Sequence, residues 1–176
     1  MDGGGALMNQ GIHSIDLLQY IMGPVKSVSA HTRTLVHDIE VEDTAVAILE
    51  FENNALGMIQ ATTSICPGYP RMMEICGDKG SIFLEEDSII RWDIEGCKIP
   101  DDIVVRSTSS KAASSPIDFS MMWHSLQIQD IMEAIRSDKT TFIDPFEGRK
   151  AIEIIRAIYE SSKSGKLVKL SEYREE

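Results

Sequence analysis

Thr44-Ala-Val-Ala-Ile-Leu-Glu-Phe51, then Glu52-Asn53-Asn54, then Ala55-Leu-Gly-Met-Ile-Gln-Ala-Thr-Thr-Ser-Ile65 is the stretch on which the fold turns. The first run is apolar enough for a buried strand. The second follows it across an Asn-Asn pair, which tolerates the positive φ of a tight hairpin turn. The two runs are expected as antiparallel neighbours. Outward from this hairpin the texture stays that of strands. Val25 to Leu35 is rich in β-branched and small residues, and Arg71 to Cys76, Ser81 to Glu85 and Ile89 to Ile94 continue the series. Gly77-Asp-Lys-Gly80 and Glu86-Asp-Ser88 supply the turns between them, so an antiparallel meander is predicted.

Helices bracket the strands. The first is expected from about Gly5 to Met22, stopped by Gly23-Pro24, where Gly takes the left-handed cap and Pro forbids continuation. The second, about Phe119 to Ser137, places Leu126, Ile128, Ile131, Met132 and Ile135 largely on one face. The third has Asp144 as N-cap, Pro145 at the first helical position and Glu147 three residues on to complete a capping box. Ala151, Ile155 and Ile158 line its buried side; it ends near Ser164-Gly165, and Leu167 to Leu170 reads as a short last strand. Helices at both ends and strands between them predict an α+β fold, with a large, open, mainly antiparallel sheet and helices on one face. Ser107 to Ser115 has no apolar periodicity and reads as a loop.

Composition narrows the function classes. At 176 residues, 43% apolar and 26% charged, the chain can bury enough surface to offset ordering entropy and is expected as one domain, residues 1–176. Its net charge of -11 repels phosphate backbones and anionic lipid, which argues against nucleic acid and membrane surfaces as partners. Acid is concentrated early: residues 1 to 95 carry 5 basic and 15 acidic side chains. Apolar runs fall far short of the roughly 20 residues a membrane span needs, and the N-terminus shows no basic-then-apolar leader. Three cysteines, odd in number and without a CxxC pair, fit free thiols and a cytoplasmic protein. Seven of the methionines, among them Met8, Met58, Met72 and Met132, are expected as core or interface filler.

The segment richest in chemistry is Gly3-Gly-Gly-Ala-Leu-Met-Asn-Gln-Gly-Ile-His-Ser-Ile-Asp16. Asn9 and His13 are four apart and Asp16 is three further on, so a helix brings all three to one side. An imidazole takes or gives a proton near neutral pH, and a neighbouring amide or carboxylate can set its tautomer. The same spacing also describes the solvated stripe of an amphipathic helix, and periodicity does not decide between them. Gly3 to Gly5 lacks GxGxxG spacing and follows no strand; it reads as a flexible lead-in or a close backbone approach, not a dinucleotide fingerprint. No Walker A, HExxH, GxSxG or zinc-type spacing occurs, so no metal site is expected. His124, beside Trp123, is placed to face the same cleft as His13 or to serve in a core or interface. Arg71, after Tyr69-Pro70, is placed to reach an anionic or hydroxylated substrate or to form a surface salt bridge.

Gly3 to Val28, GGGALMNQGIHSIDLLQYIMGPVKSV, resembles the start of the C-terminal domain of the Gfo/Idh/MocA oxidoreductases, the family of glucose-fructose oxidoreductase and inositol dehydrogenase. There a glycine-rich lead-in opens a helix bearing G-x-H-x-x-D. Gly148 to Leu170, GRKAIEIIRAIYESSKSGKLVKL, is similar to that family's closing helix and strand, and Met73 to Glu85, MEICGDKGSIFLE, to one of its inter-strand turns. The resemblance covers nearly the whole chain.

The resemblance implies that this is the substrate-binding and oligomerisation half of an enzyme whose N-terminal Rossmann domain, absent from this chain, holds NAD or NADP. It implies a sugar, cyclitol or related polyol as substrate, and a homo-oligomer formed through the sheet. Family catalysis pairs a lysine of the nucleotide half, in an E-K-P motif, with an Asp or Asn and the histidine four residues after it. These last two fall on Asn9 and His13. His13 would then relay the substrate hydroxyl proton while hydride moves to nicotinamide; Asn9, in place of the commoner Asp, would position by hydrogen bonding. Asp16 matches a motif position, and Gln10, Asp16, Arg71 and His124 are the candidate substrate contacts. With neither E-K-P nor a dinucleotide motif, the chain alone is expected to bind no cofactor and to catalyse no hydride transfer. The other class of function is a ligand-binding or assembly module that keeps the sheet without redox chemistry.

Overall fold

The computed structural model describes residues 4–86, 88–100, 103, 105 and 116–173, with the side chains of 116–123 and 173 outside the description. The expected loop from Ser107 to Ser115 lies outside the described residues. The chain forms two compact units, one of residues up to Pro67 together with Thr140 onward, the other Gly68–Lys139.

The first unit begins with a π-helical turn, Leu7–Gly11, which runs into α1, Ile12–Met22. Then come β1, Val25–Arg33, β2, Thr44–Phe51, and β3, Leu56–Thr62. Its chain is completed by α3, Pro145–Ser164, β7, Val168–Lys169, and a 3-10 turn, Leu170–Tyr173. The strands lie in the order β3-β2-β1-β7, every pair antiparallel. The hairpin read from the Asn pair is present: Asn54 has φ 66°, and the Ala55 N–H donates to Asn53 Oδ1 at 2.9 Å. Asn53 Nδ2 also donates to the Met22 carbonyl at 3.0 Å, which ties the turn to the end of α1.

Side chains alternate across a strand, so each strand offers one set to the helices and one to the outside. Val28, Ala30, Ala45, Ala47, Leu49 and Phe51 point inward and are buried. Against them α3 lays Ala151, Ile154, Ile155, Ile158 and Ser161, the i, i+3, i+4, i+7 spacing of one helical face. The alanines on the strands leave room for the isoleucines on the helix, and each fully buried isoleucine contributes ~2 kcal/mol relative to exposure. Leu7 and Ile15 of the first helical segment enter the same core, so the helices share one face of the sheet.

Two serines of α3 fasten it to β1 by polar contacts as well. Ser161 Oγ accepts from the Ala30 N–H at 3.0 Å, in the interior, and donates to the Lys166 carbonyl at 2.7 Å. Ser162 Oγ accepts from the Thr32 N–H at 2.8 Å. Asp144 caps α3 by accepting from the Glu147 N–H at 2.9 Å, and Gly165 ends it at φ 69°. The expected capping box is half made: the Glu147 carboxylate accepts from Lys150 Nζ at 2.5 Å, the ion pair available one turn along.

The second unit contains β4, Met72–Gly77, β5, Gly80–Glu85, and β6, Ser88–Ile94, a meander in that order, followed by α2, Pro116–Ser137. The predicted strands therefore exist, but their hydrogen bonds divide them between two sheets, one in each unit. In α2 the expected buried stripe stays open: Leu126, Ile128, Ile131, Met132 and Ile135 are all exposed, and Ala134 is buried instead. Periodicity marks the face that can be covered; it does not supply the cover. Among the described residues, no helix is long and apolar enough to cross a membrane.

Replacing Ser161 with Ala leaves the Ala30 N–H unpartnered in the interior and removes the donor to the Lys166 carbonyl at its edge. The variant should lose about 1–3 kcal/mol of stability, read from urea unfolding; a loss within a few tenths would show that this contact contributes nothing net.

Candidate functional site

The residues singled out near the N-terminus sit on one exposed side of a helix whose other side is buried. Leu7, Ile15 and Gln19 point into the core, whereas Asn9, Gln10, His13 and Asp16 are exposed. The helix is not uniform, however. Residues 7–11 form a π turn, where i→i+5 bonding changes the angular relation of Asn9 to His13 from that of a plain α-helix. Gly11 closes this turn against β3: a Cβ there would stand 3.4 Å from the Ala6 carbonyl oxygen and 3.9 Å from Ala61 Cβ. π turns inside helices occur often at functional sites.

Among the described residues, no hydrogen bond joins His13 to Asn9 or Asp16. Arg71 and His124 belong to the other unit. Arg71 Nε donates to Glu86 Oε2 at 2.9 Å, and the Arg71 backbone N–H donates to Glu86 Oε1 at 2.8 Å, the salt-bridge alternative for this residue. His124 is exposed on α2. Asn9, Gln10, His13 and Asp16 share the exposed side of this one helical segment.

Directly before β2 stand two buried carboxylates that the motif reading passed over. Glu42, buried, accepts from the Leu7 N–H at 2.9 Å and from the Tyr159 hydroxyl at 3.0 Å through the same oxygen, Oε1. Its carbonyl accepts from the Ala6 N–H at 3.0 Å. Gly5 answers the question left open for the glycines: a Cβ there would lie 2.1 Å from the Glu42 carbonyl oxygen, so close approach is its role. Burial, with the Glu42 charge and hydrogen bond beside it, raises the Tyr159 hydroxyl well above the ordinary tyrosine range.

Asp43 is fully buried and gathers the β1–β2 connection. Its carboxylate accepts from the N–H groups of Leu35, Val36 and His37, at 2.8–3.1 Å, and from Thr44 Oγ1 at 3.0 Å. Burial works to raise its pKa; the backbone donors of His37, Val36 and Leu35, with the Thr44 hydroxyl, outweigh it and hold the carboxyl well below the usual carboxylate range. The sequence signal was available: two adjacent acids directly before a buried strand, where a charge needs a specific partner. No group of three or more His, Cys, Asp or Glu able to hold a metal occurs among the described residues.

The family model for the Gfo/Idh/MocA oxidoreductases, described as the C-terminal alpha/beta domain of an oxidoreductase family, matches residues 2–170. A scyllo-inositol 2-dehydrogenase (NAD(+)) from Bacillus subtilis is 25% identical over 95% of this chain and 48% of its own length. A myo-inositol 2-dehydrogenase from Thermotoga maritima is 36% identical over 53% of this chain and 30% of its own length. Among solved structures, the WlbA dehydrogenase from Bordetella pertussis, in complex with NADH and UDP-GlcNAcA, superposes with a TM-score of 0.77 and 31% identity. That match covers 94% of this chain and 48% of the other. The chain spans about half the length, or less, of the relatives it matches.

Because the folded-state pKa of Asp43 is depressed, its stabilising effect is complete above the unfolded carboxylate pKa of ~3.9 and is lost progressively as pH falls below it toward the folded-state value. The Tm difference between the wild-type chain and Asp43→Asn should therefore narrow steadily as pH falls from above 4 into the acid range. A difference independent of pH would disprove the assignment.

Proposed function

This chain belongs to the Gfo/Idh/MocA oxidoreductase family as its C-terminal α/β domain, and on that premise we propose that it is the substrate-binding and catalytic half of an NAD(P)-dependent dehydrogenase acting on a sugar, cyclitol or related polyol. The observation that carries the proposal is the open polar face of Asn9, Gln10, His13 and Asp16 on a helix anchored from behind. Names among the relatives support the substrate class: two are inositol dehydrogenases, and one was solved with a nucleotide sugar.

In this reading the unprotonated ring nitrogen of His13 accepts the proton of the substrate hydroxyl as that oxygen becomes a carbonyl. Asn9 holds the substrate or the imidazole by hydrogen bonding; an amide cannot itself carry the proton. Gln10 and Asp16 flank them and bind neighbouring hydroxyls. Arg71 already has Glu86 as partner, and it and His124 are left out of the proton path. The hydride of the carbinol carbon would pass to NAD or NADP held by the full-length protein. Among the described residues, no glycine-rich turn follows a strand to open a helix that would fit the dinucleotide's pyrophosphate. Its binding is assigned to a Rossmann domain elsewhere in the full-length protein.

The sheet carries a second proposal. On the side away from α3, Ile48 and Met58 face each other across β2 and β3, with Val46 and Leu56 beside them, all exposed. We infer that this apolar stripe pairs with another copy to form a homo-oligomer, as large, contiguous exposed apolar surface on a globular protein marks an interface. A ligand-binding or assembly module would keep this stripe and dispense with His13; dinucleotide binding by the full-length protein separates the two.

In the full-length enzyme, His13→Ala should lower kcat by about 10² to 10⁴-fold with dinucleotide Kd unchanged. Wild-type turnover in that variant would remove His13 from the mechanism. Light scattering at micromolar concentration should give a multiple of the single-chain mass. Ile48→Lys combined with Met58→Glu, which leaves an opposite-charge cross-strand pair in the fold, should reduce it to one chain; a monomeric wild type would refute the interface.

A further inference from the structure

We propose that Glu42 is the positioning residue of the Asn9–His13 face: through two backbone contacts it holds the π turn in which Asn9 sits. This inference rests on the reading of that face as the substrate side. The first N–H groups of a helix have no partner within it, and a side chain at the N-cap normally takes one of them. Here the N-cap position is Ala6, which has nothing to offer. Glu42, 35 residues beyond Leu7 at the threshold of β2, does that work from outside: its carbonyl takes the Ala6 N–H and its Oε1 the Leu7 N–H. Tyr159 of α3 donates to the same Oε1, so the carboxylate is itself held. Gly5 permits the approach, since a Cβ would lie 2.2 Å from Glu42 Oε2.

The consequence reaches the site because the clamped turn is π-helical. Its i→i+5 bonding is less favourable than the α pattern and persists where surroundings impose it. Leu7 is held at its amide by Glu42 and at its side chain by the core, and Asn9 follows two residues later. Release of the Leu7 amide lets the segment relax toward α geometry, which changes the angle between Asn9 and His13 around the helix axis. Glu42 touches neither and acts through the backbone alone.

Three readouts test this. In the 176-residue chain, Glu42→Ala should speed exchange of the Leu7 and Asn9 amides about tenfold or more, with the Ala47 and Leu49 amides of β2 unchanged. The His13 ring and Asn9 side-chain amide NMR resonances should move in the same variant. Glu42→Gln, which keeps an oxygen acceptor for Leu7 and Tyr159, should restore both; if Glu42→Ala fails to fold, Tyr159→Phe, which removes the donor that holds the carboxylate, should move the same two readouts. In the full-length dehydrogenase, Glu42→Ala should lower kcat about tenfold or more with dinucleotide KM unchanged, and Glu42→Gln should rescue it. Unchanged exchange would overturn the clamp. Unmoved His13 and Asn9 resonances, or wild-type kcat beside loosened amides, would overturn the positioning role. If the wild-type enzyme oxidises no polyol, the proposed function fails, and the exchange and resonance measurements still decide the role of Glu42.

Discussion

Two adjacent carboxylates at the threshold of β2, Glu42 and Asp43, organise two different parts of the first unit. Successive residues of an extended chain point to opposite sides, so Glu42 reaches the start of the helical segment and Asp43 the β1–β2 connection. Both are buried, and a buried carboxylate is tolerable only with donors at its oxygens. Backbone N–H groups provide them: Leu7 for Glu42, and three consecutive residues for Asp43. The Asp43 backbone adds bonds to both neighbouring strands, donating to the Arg33 carbonyl and accepting from the Thr63 N–H. Removal of either acid would leave interior amides unpaired, which costs more than the gain from making each bond.

The sheet above this pair is one-sided in a useful way. Its inner face is filled by α3 and by the first helical segment, which is thereby held with Leu7 and Ile15 inward and Asn9, Gln10, His13 and Asp16 outward. Its outer face changes character along the strand order: β2 and β3 display Val46, Ile48, Leu56 and Met58, whereas β1 displays Lys26, Ser29, His31 and Arg33. One sheet thus carries a polar chemical surface on its helical side and an apolar stripe on the other. In the proposed function, the polar side binds substrate and the apolar stripe a second copy.

The sequence showed most clearly what depends on neighbours in the chain. The Asn53-Asn54 turn, the Asp144 cap, the Gly165 stop and the strands from β1 to β6 are local in origin, and each lies within a few residues of its expected bounds. That Asn9 and His13 share one side of the helix was legible for the same reason, since it follows from spacing; that this side faces outward is decided by the burial of Leu7 and Ile15. The π turn was not legible, because i→i+5 bonding is imposed by surroundings that the spacing does not record. Nor was the fate of the apolar stripe on α2, whose cover depends on what lies opposite it.

By itself, then, the sequence determined the antiparallel strands, the places where the helices start and stop, the family, and the sharing of one helix side by Asn9, His13 and Asp16. Tertiary structure alone decided that Glu42 and Tyr159, 117 positions apart, meet at the first turn of that helix, and that Asp43 closes the connection before β2. The reason is physical: propensity, capping and turn geometry act over a handful of residues, whereas a buried charge finds its donors wherever folding brings backbone amides to it.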